Sequence, residues 1–254
     1  MPTLREAAYY KDKFTQDPLW SSREPNIDET SRWASIESML RALPTTNQKR
    51  RLLDVGCGRG WLTHLCSVFG EPQGLEPVAE VADYARRTFP DVHFHSLSLP
   101  EFLSSPEFKP FGVAVCSEVI EHVPQNSQSA FAALLRSALE PGGWLILTTP
   151  RRELLEQWRW LRGVLPKRWR AEPDQPVEEP LTEKELRHML EQNGFRIFLH
   201  TRAYVKFRTL SPANAILGIP WVDSFLRLSW MEPLRRVCHH RWAVYQVWCA
   251  QRLS

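Results

Sequence analysis

The stretch Leu52-Leu53-Asp54-Val55-Gly56-Cys57-Gly58-Arg59-Gly60 decides the fold. An apolar strand and an acid lead into three glycines at alternate positions, and a segment predicted to be helical, 61–68, follows them. Glycines let the backbone turn tightly and let a ligand approach the main chain, while the start of a helix offers unpaired N–H groups. Glu76 ends the next predicted strand, where a carboxylate accepts hydrogen bonds from ribose hydroxyls. Together these features predict a nucleotide-type site.

From residue 51 the chain alternates short apolar strands with helices, which is typical of a parallel sheet. The predicted strands are 51–55, 72–76, 92–95, 112–116 and 144–148, and the predicted helices are 61–68, 78–88 and 127–139. Crossover connections between such strands are right-handed, and ligands bind at the carboxyl ends of the strands. We therefore predict a run of βα units in which the glycine-rich loop faces a ligand.

The two ends of the chain complete this arrangement. Residues 1–30 read as polar and irregular, with aromatic anchors at positions 9, 10, 14 and 20, and a helix is predicted over 31–43. We expect residues 1–45 to form a helical cap on one domain, 46–254. Near the other end, Thr182 and Glu185 form a capping box that opens a helix ended by Gly194. Strands are predicted at 195–200 and 243–250, and insertions at 151–180 and 201–242.

The composition is that of a soluble globular protein, since 43% of the 254 residues are hydrophobic and 24% are charged. Its five cysteines show neither a CxxC spacing nor a zinc-type cluster with histidine, so no metal is expected. Their odd number indicates a reducing compartment. The N-terminus lacks an apolar signal stretch, and the longest apolar run, 209–222, is too short to span a bilayer. We expect a cytoplasmic protein whose contact with a membrane, if any, is peripheral.

The formal net charge of +3 hides an asymmetry, because residues 1–150 carry −4 and residues 151–254 carry +7. Within the second part, segment 157–170 holds five cations, three tryptophans and no acid. Such a segment suits a lid over the substrate, a contact with an anionic membrane surface, or stacking on nucleic acid bases. The isoelectric point near 8.6 is too mild to favour nucleic acid. The lid and the membrane contact remain as the two interpretations.

Five motifs in order make the sequence resemble the class I S-adenosylmethionine-dependent methyltransferases. They are LLDVGCGRG, the acid of GLEP, CSEVIEHV, LEPGGWLILTTP and LTEKELRHMLEQNGF, which span residues 50–195 with small gaps. The sequence is similar to the group of ubiquinone-biosynthesis O-methyltransferases and related small-molecule enzymes. This resemblance implies an α/β, doubly wound, Rossmann-like fold with a seven-stranded, mostly parallel sheet. The strand predicted at 243–250 fits the antiparallel strand that closes such a sheet.

The resemblance also implies a cofactor, S-adenosylmethionine, which leaves as S-adenosylhomocysteine. The implied contacts are Asp54, Gly56, Cys57, Gly58 and Gly60 at the methionine end, Glu76 at the ribose, Pro77 and Val78 beside the adenosine, Leu97 on the adenine, and Cys116, Ser117 and Glu118 beside the methionine moiety and the acceptor. Two positions depart from the family pattern. Ser96 stands where an Asp usually recognises adenine, and Phe111-Gly112 replaces Phe-Asp.

His122 is the candidate general base, because it follows the strand that delivers Ser117 and an imidazole has an ordinary pKa of about 6.5. In the alternative interpretation His122 braces its loop without touching the acceptor. The expected reaction is methyl transfer to a small-molecule or lipid-like acceptor, at oxygen rather than nitrogen or carbon. Its rate would come mainly from alignment and from exclusion of water.

Two other functions fit part of this pattern. An NAD-type oxidoreductase shares the glycine loop and the ribose acid, but the spacing Gly56-x-Gly58-x-Gly60 is not GxGxxG, and the motif CSEVIEHV argues against it. A scaffold protein of the same fold would bind the cofactor without turnover, and Ser96 leaves that alternative open. The sequence does not indicate an oligomeric state.

Overall fold

The computed structural model describes residues 4–18, 20–45, 49–153, 179–205 and 243–254. Within these ranges the strands are β1 (Arg50–Val55), β2 (Gly70–Leu75), β3 (His93–His95), β4 (Phe111–Ser117), β5 (Leu139–Pro150), β6 (Phe195–Val205) and β7 (Ala243–Arg252). The α-helices are α1 (Leu4–Thr15), α2 (Ile27–Ala42), α3 (Trp61–Leu65), α4 (Ala79–Thr88), α5 (Leu99–Leu103), α6 (Gln125–Ala138) and α7 (Glu183–Gln192). Short 3-10 helices lie at Cys66–Val68 and Ile120–His122.

The strands form one sheet in the order β3-β2-β1-β4-β5-β7-β6. β1 pairs in parallel with β2 and β4, and further parallel pairs join β2 to β3 and β4 to β5. β7 is antiparallel to both β5 and β6. The expected doubly wound sheet of seven strands, mostly parallel and closed by an antiparallel C-terminal strand, is therefore confirmed.

The order of the sheet reverses between β1 and β4. The chain runs outward from β1 through β2 to β3, and β4 then returns to the other side of β1. At such a reversal the loops that follow the two strands diverge and leave a crevice at their carboxyl ends. The glycine-rich loop follows β1, and residues 118–122 follow β4. The fold thus brings two motifs that are far apart in sequence to the same crevice.

The inner residues of β1 show why this stretch forms a central strand. Successive side chains point to opposite faces of the sheet, so Leu53 and Val55 join the hydrophobic cluster on one face and Leu52 joins the cluster on the other. Helices cover both faces of a doubly wound sheet, so a central parallel strand is apolar on both sides. Asp54 is the exception among these residues, and it is only 2% exposed. This buried acid, just before the glycine-rich loop, is the first residue of the candidate site.

The prediction of an irregular segment over residues 1–30 is wrong at both of its ends. Leu4–Thr15 forms α1. α2 begins at Ile27 because Asn26 and Glu29 cap it reciprocally. The backbone N–H of Glu29 donates to Oδ1 of Asn26 (3.0 Å), and the backbone N–H of Asn26 donates to Oε2 of Glu29 (2.8 Å).

α2 packs on the sheet rather than apart from it. Its residues Ile36, Met39 and Leu40 are buried in the same hydrophobic cluster as Leu52 of β1. The division of the chain into a cap, 1–45, and a domain, 46–254, stays a prediction.

The remaining elements follow the predicted order with shifted ends. The capping box of Thr182 and Glu185 opens α7 as predicted. A second capping box, Ser98 with Glu101, opens α5, a helix that the pattern did not predict. β6 extends to Val205, so part of the predicted insertion 201–242 is strand, and 206–242 lies outside the described residues. The basic segment 157–170, within the predicted insertion 151–180, also lies outside them.

Candidate active site

A cavity of about 810 Å³ opens at the carboxyl ends of β1, β2 and β4. Ten of the residues implied by the motifs line it: Asp54, Gly56, Cys57, Gly58, Glu76, Pro77, Leu97, Ser117, Glu118 and His122. Val78, expected beside the adenosine, lines it as well. The chain therefore brings nearly the whole predicted set into one space.

Gly60 and Cys116 do not line this cavity. Cys116 is fully buried and packs in the hydrophobic cluster with Leu53 and Leu147. It precedes Ser117 on β4, and neighbouring side chains of a strand face opposite sides, so the side chain of Cys116 points away from that of Ser117, which lines the cavity. Position 60 requires glycine for structural reasons, because its φ is +87° and a Cβ there would lie 2.6 Å from Cζ of Phe94. The cofactor contacts expected of Gly60 and Cys116 stay predictions.

Gly58 connects the loop to the acid of the next strand. Its φ is +51°, a conformation that glycine adopts without strain, and its N–H donates to Oε2 of Glu76 (3.1 Å). A Cβ on Gly58 would lie 3.4 Å from Cζ of Phe14 in α1. The loop is therefore bounded by Glu76 on one side and by an aromatic ring on the other.

Glu76 lies at the end of β2 and is 7% exposed. Its Oε1 accepts a hydrogen bond from the backbone N–H of Val78 (2.9 Å), while Oε2 accepts the one from Gly58. Burial raises the pKa of this carboxyl from its ordinary 4.5 to about 7, against the opposing effect of the two N–H groups. Each oxygen keeps a second lone pair, so the carboxylate can still accept hydrogen bonds from a ligand.

Asp54 is the second buried acid of the cavity. The hydroxyl of Thr63, on α3, donates to its Oδ2 at 2.6 Å. Burial raises the pKa of Asp54 to about 7 from its ordinary 3.8. Neither Asp54 nor Glu76 forms an ion pair within the part of the chain that the structure describes. A ligand with positive charge would favour the ionised form of both acids.

The residues after β4 form the opposite wall. The hydroxyls of Ser117 and Thr148 lie 2.9 Å apart, and the Thr148 hydroxyl donates to Oε1 of Glu118 (2.7 Å). Glu118 has a φ of +59°, an uncommon value for a residue with a side chain. Its own N–H donates to the carbonyl of Thr148 (3.0 Å), which helps to hold this conformation. Burial, assisted by the nearby charge of Glu121, raises the pKa of Glu118 to about 8.

His122 lies at the end of a 3-10 helix and lines the cavity. Its ring meets the ring of Tyr10 edge to face, with centroids 5.8 Å apart. The neighbouring Glu121 is 1% exposed and accepts a hydrogen bond from the hydroxyl of Thr149 (3.0 Å). His122 is thus held between α1 and a buried polar loop.

Several lining residues were missed by sequence reasoning, and they come from the first 32 positions: Glu6, Tyr10, Lys13, Phe14, Trp20, Glu29 and Arg32. Arg32 is 6% exposed, and its Nε has no hydrogen-bond partner among the residues that the structure describes. Its Nη1 lies 3.8 Å from Oε1 of Glu118, and its guanidinium lies over the ring of Tyr245. A signal existed, because Arg32 shares a helix face with the apolar Ile36, and a charge on an apolar face needs a partner.

Comparison with known proteins agrees with this geometry. The family described as "Methyltransferase domain" matches residues 28–200. The chain therefore belongs to the methyltransferase domain family, and its assignment to the class I S-adenosylmethionine-dependent methyltransferases is confirmed.

Two curated relatives are ubiquinone biosynthesis O-methyltransferases. The protein of Hydrogenovibrio crunogenus is 31% identical over 110 residues, which cover 41% of this chain and 44% of that protein. The mitochondrial protein of Rattus norvegicus is 30% identical over 161 residues, which cover 58% of this chain and 44% of that protein. The chain thus spans less than half the length of these two relatives.

Solved structures share the fold at lower identity. Magnesium protoporphyrin IX methyltransferase from Synechocystis, with bound S-adenosylhomocysteine, has a TM-score of 0.59 at 15% identity, covering 97% of this chain and 99% of its own. The N-methyltransferase NodS from Bradyrhizobium japonicum has a TM-score of 0.63 at 10% identity, covering 98% and 100%.

Two further observations concern the described ranges alone. No three side chains of His, Cys, Asp or Glu converge there as a metal site requires. No helix in those ranges is both long enough and apolar enough to cross a membrane.

Proposed function

We propose that this chain binds S-adenosylmethionine in the cavity and transfers its methyl group to the oxygen of a small-molecule or lipid-like acceptor. The observation that carries this proposal is the pairing of the glycine-rich loop with Glu76: Oε2 accepts the N–H of Gly58, Oε1 accepts the N–H of Val78, and Glu76 lines a cavity of about 810 Å³. S-adenosylhomocysteine is the expected product.

The charges of the cavity fit such a cofactor. Asp54 and Glu76 are acids whose pKa values burial raises to about 7, and a neighbouring positive charge would favour their ionised forms. A cofactor with an ammonium and a sulfonium group supplies that charge. Arg32 is a buried cation of the same cavity, and its Nε, without a hydrogen-bond partner in the described ranges, suits a carboxylate. Glu76 accepts from ribose hydroxyls through its remaining lone pairs.

When bound, the cofactor supplies an electrophilic methyl group. The residues of this chain then have three tasks: to orient the acceptor, to exclude water and, where the acceptor is a hydroxyl, to take its proton. An imidazole nitrogen of His122 is the proposed proton acceptor, since the ring lines the cavity. Tyr10, in edge contact with that ring, closes the cavity beside it.

The acceptor end of the cavity favours an apolar molecule. Beyond His122 the lining includes Val123, Pro124, Ala130, Phe131 and Leu134, with Ser127 as its polar member. A wall of this kind excludes water and binds an apolar chain or ring by burying its surface. The names of the two relatives, both O-methyltransferases of ubiquinone biosynthesis, support transfer to oxygen.

The membrane contact of segment 157–170 is a separate part of the proposal. A lipid-like acceptor would be delivered from a membrane surface, and five cations with three tryptophans suit an anionic one. Sedimentation with anionic and neutral vesicles tests this. Equal recovery with both vesicle types, or recovery unchanged after the five cations are replaced with glutamine, would exclude it.

Calorimetry with purified protein tests the cofactor. Binding of S-adenosylmethionine and S-adenosylhomocysteine is expected, and its absence would overturn the proposal, as would tighter binding of NADH in a fluorescence titration. Labelled S-adenosylmethionine added to a cell extract then identifies the acceptor through its labelled product. Cofactor binding without transfer to any fraction would favour the scaffold alternative.

A further inference from the structure

Arg59, in the middle of the glycine-rich loop, makes contacts that cofactor binding alone does not require. Its side chain is 1% exposed, and its guanidinium forms two parallel hydrogen bonds with the carboxylate of Glu29, itself 2% exposed. The distances are 2.6 Å from Nη1 to Oε1 and 2.7 Å from Nη2 to Oε2. Taking both charges out of water is costly, and the bidentate geometry offsets that cost.

The other donors of Arg59 reach the chain just before α2. Nε donates to the carbonyl of Ser22 (2.6 Å), and Nη2 also donates to the carbonyl of Glu24 (3.2 Å). The hydroxyl of Tyr84, on α4, donates to the carbonyl of Ser21 at 2.5 Å. Arg59 therefore ties segment 21–29 to the glycine-rich loop, while Tyr84 and the contact of Arg23 with the ring of Phe89 hold the same segment to α4 and its end.

This ion pair joins two walls of the cavity. Arg59 stands between Gly58, which binds Glu76, and Gly60, which packs against Phe94. Glu29 stands one helical turn before Arg32, so both side chains leave α2 on the same side.

Segment 21–29 also connects to α1, whose Phe14 lies over Gly58. α1 has a further tether of its own, the pair Lys11–Glu80 at 3.2 Å. Both partners of that pair are about half exposed, so it contributes little. The buried pair at Arg59 is thus the stronger link between the N-terminal helices and the loop.

We propose that Arg59 is a positioning residue for the cofactor site, and this inference rests on the proposed function. Its ion pair with Glu29 holds the glycine-rich loop and Arg32 at a fixed separation. Arg59 lines the cavity but acts through Gly58 and Arg32, because four of its five N–H groups are engaged by Glu29, Ser22 and Glu24. The ion pair would thereby set the affinity for S-adenosylmethionine.

The test compares S-adenosylhomocysteine affinity, by calorimetry, in Arg59→Lys, Glu29→Gln and wild type. Lysine keeps the charge but loses the planar fork that matches a carboxylate. Each substitution is expected to weaken binding by about tenfold, which is about 1.4 kcal/mol. Arg41→Gln is the matched control, since it breaks the exposed pair Arg41–Glu37 on the same helix and should leave the affinity unchanged.

Two readouts separate positioning from a merely structural role. Affinity is measured well below the melting temperature of each variant, so that all molecules are folded. The double variant Arg59→Lys with Glu29→Gln should bind no more weakly than the worse single variant, because both substitutions break one link. Additive losses of affinity would contradict this.

Variants that melt earlier yet bind S-adenosylhomocysteine as wild type does would overturn the proposal. If Glu29→Gln does not fold, Glu29→Asp replaces it, since it keeps the charge and shortens the reach. A wild type that binds no S-adenosylhomocysteine would instead refute the proposed function itself. The two failures are therefore distinguishable.

Discussion

Replacing Glu76 with glutamine is expected to weaken cofactor binding strongly while leaving the fold about as stable as before at pH 8. The carboxylate accepts hydrogen bonds from the backbone N–H groups of Gly58 and Val78, one on each oxygen. Glutamine offers one oxygen and one NH₂ group, so one of these N–H groups loses its acceptor. An unsatisfied buried donor costs about 1–3 kcal/mol.

The opposing effect comes from the pKa of Glu76. The folded protein holds its proton up to about pH 7, while the unfolded chain releases it near 4.5. Wild type therefore loses stability as the pH rises through this window, by about 3 kcal/mol in all for a shift of this size. Glutamine does not titrate, so the stability of Glu76→Gln does not fall in this way as the pH rises. Near pH 8 the two effects nearly cancel, and below pH 4.5 the variant is the less stable protein by about 1–3 kcal/mol.

The effect of Glu76→Gln on cofactor affinity differs from its effect on stability. Ribose hydroxyls lose charge-assisted hydrogen bonds to the carboxylate, which costs about 2 kcal/mol or a thirtyfold weaker Kd. Urea unfolding at pH 4 and pH 8 measures the stability, and calorimetry with S-adenosylhomocysteine measures the affinity. Glu71→Gln, an exposed change on the same strand, is the control. A Kd within twofold of wild type, or a stability difference that does not vary with pH, would refute the reasoning.

Three further substitutions probe the site. Gly58→Arg should abolish cofactor binding in calorimetry, because the new side chain meets Phe14 and fills the loop; retained affinity would mean that the site is misplaced. Gly60→Ala should lower the free energy of unfolding by about 2–4 kcal/mol, from a positive φ and a Cβ 2.6 Å from Phe94, and an unchanged urea midpoint would contradict this. His122→Asn should lower kcat about 100-fold with an unchanged Kd for S-adenosylhomocysteine, whereas an unchanged kcat would leave His122 a bracing role.

One wall of the cavity could be predicted from sequence because its signals are local. The strand before Asp54, the alternate glycines and Glu76 lie within a single βα unit and the strand that follows it. For Cys116, the motif alone does not say which face of β4 the side chain lies on. Strand alternation places its side chain on the opposite face from that of Ser117, in a hydrophobic cluster, and its cofactor contact stays a prediction.

The other wall could not be predicted, because it depends on contacts between distant parts of the chain. Tyr10 and Phe14 are four residues apart, as helix neighbours are, but the charged residues between them hid the pattern. From sequence, Arg59 would be expected in a solvent-exposed loop, because its partner Glu29 lies 30 positions earlier. Sequence alone does not specify such pairs.

The position of β7 has a consequence for how the chain folds as it is made. β7 is synthesised after the other six strands that the structure describes, yet it lies between β5 and β6. Until residues 243–252 leave the ribosome, β5 and β6 each lack, within the described part of the chain, the neighbour that β7 provides. Both hydrophobic clusters are also incomplete without β7, which supplies Trp248 to one face and Val247 to the other. The nascent chain must therefore protect an exposed strand edge until residues 243–252 have been made, and chaperones that shield such edges are expected to raise its yield.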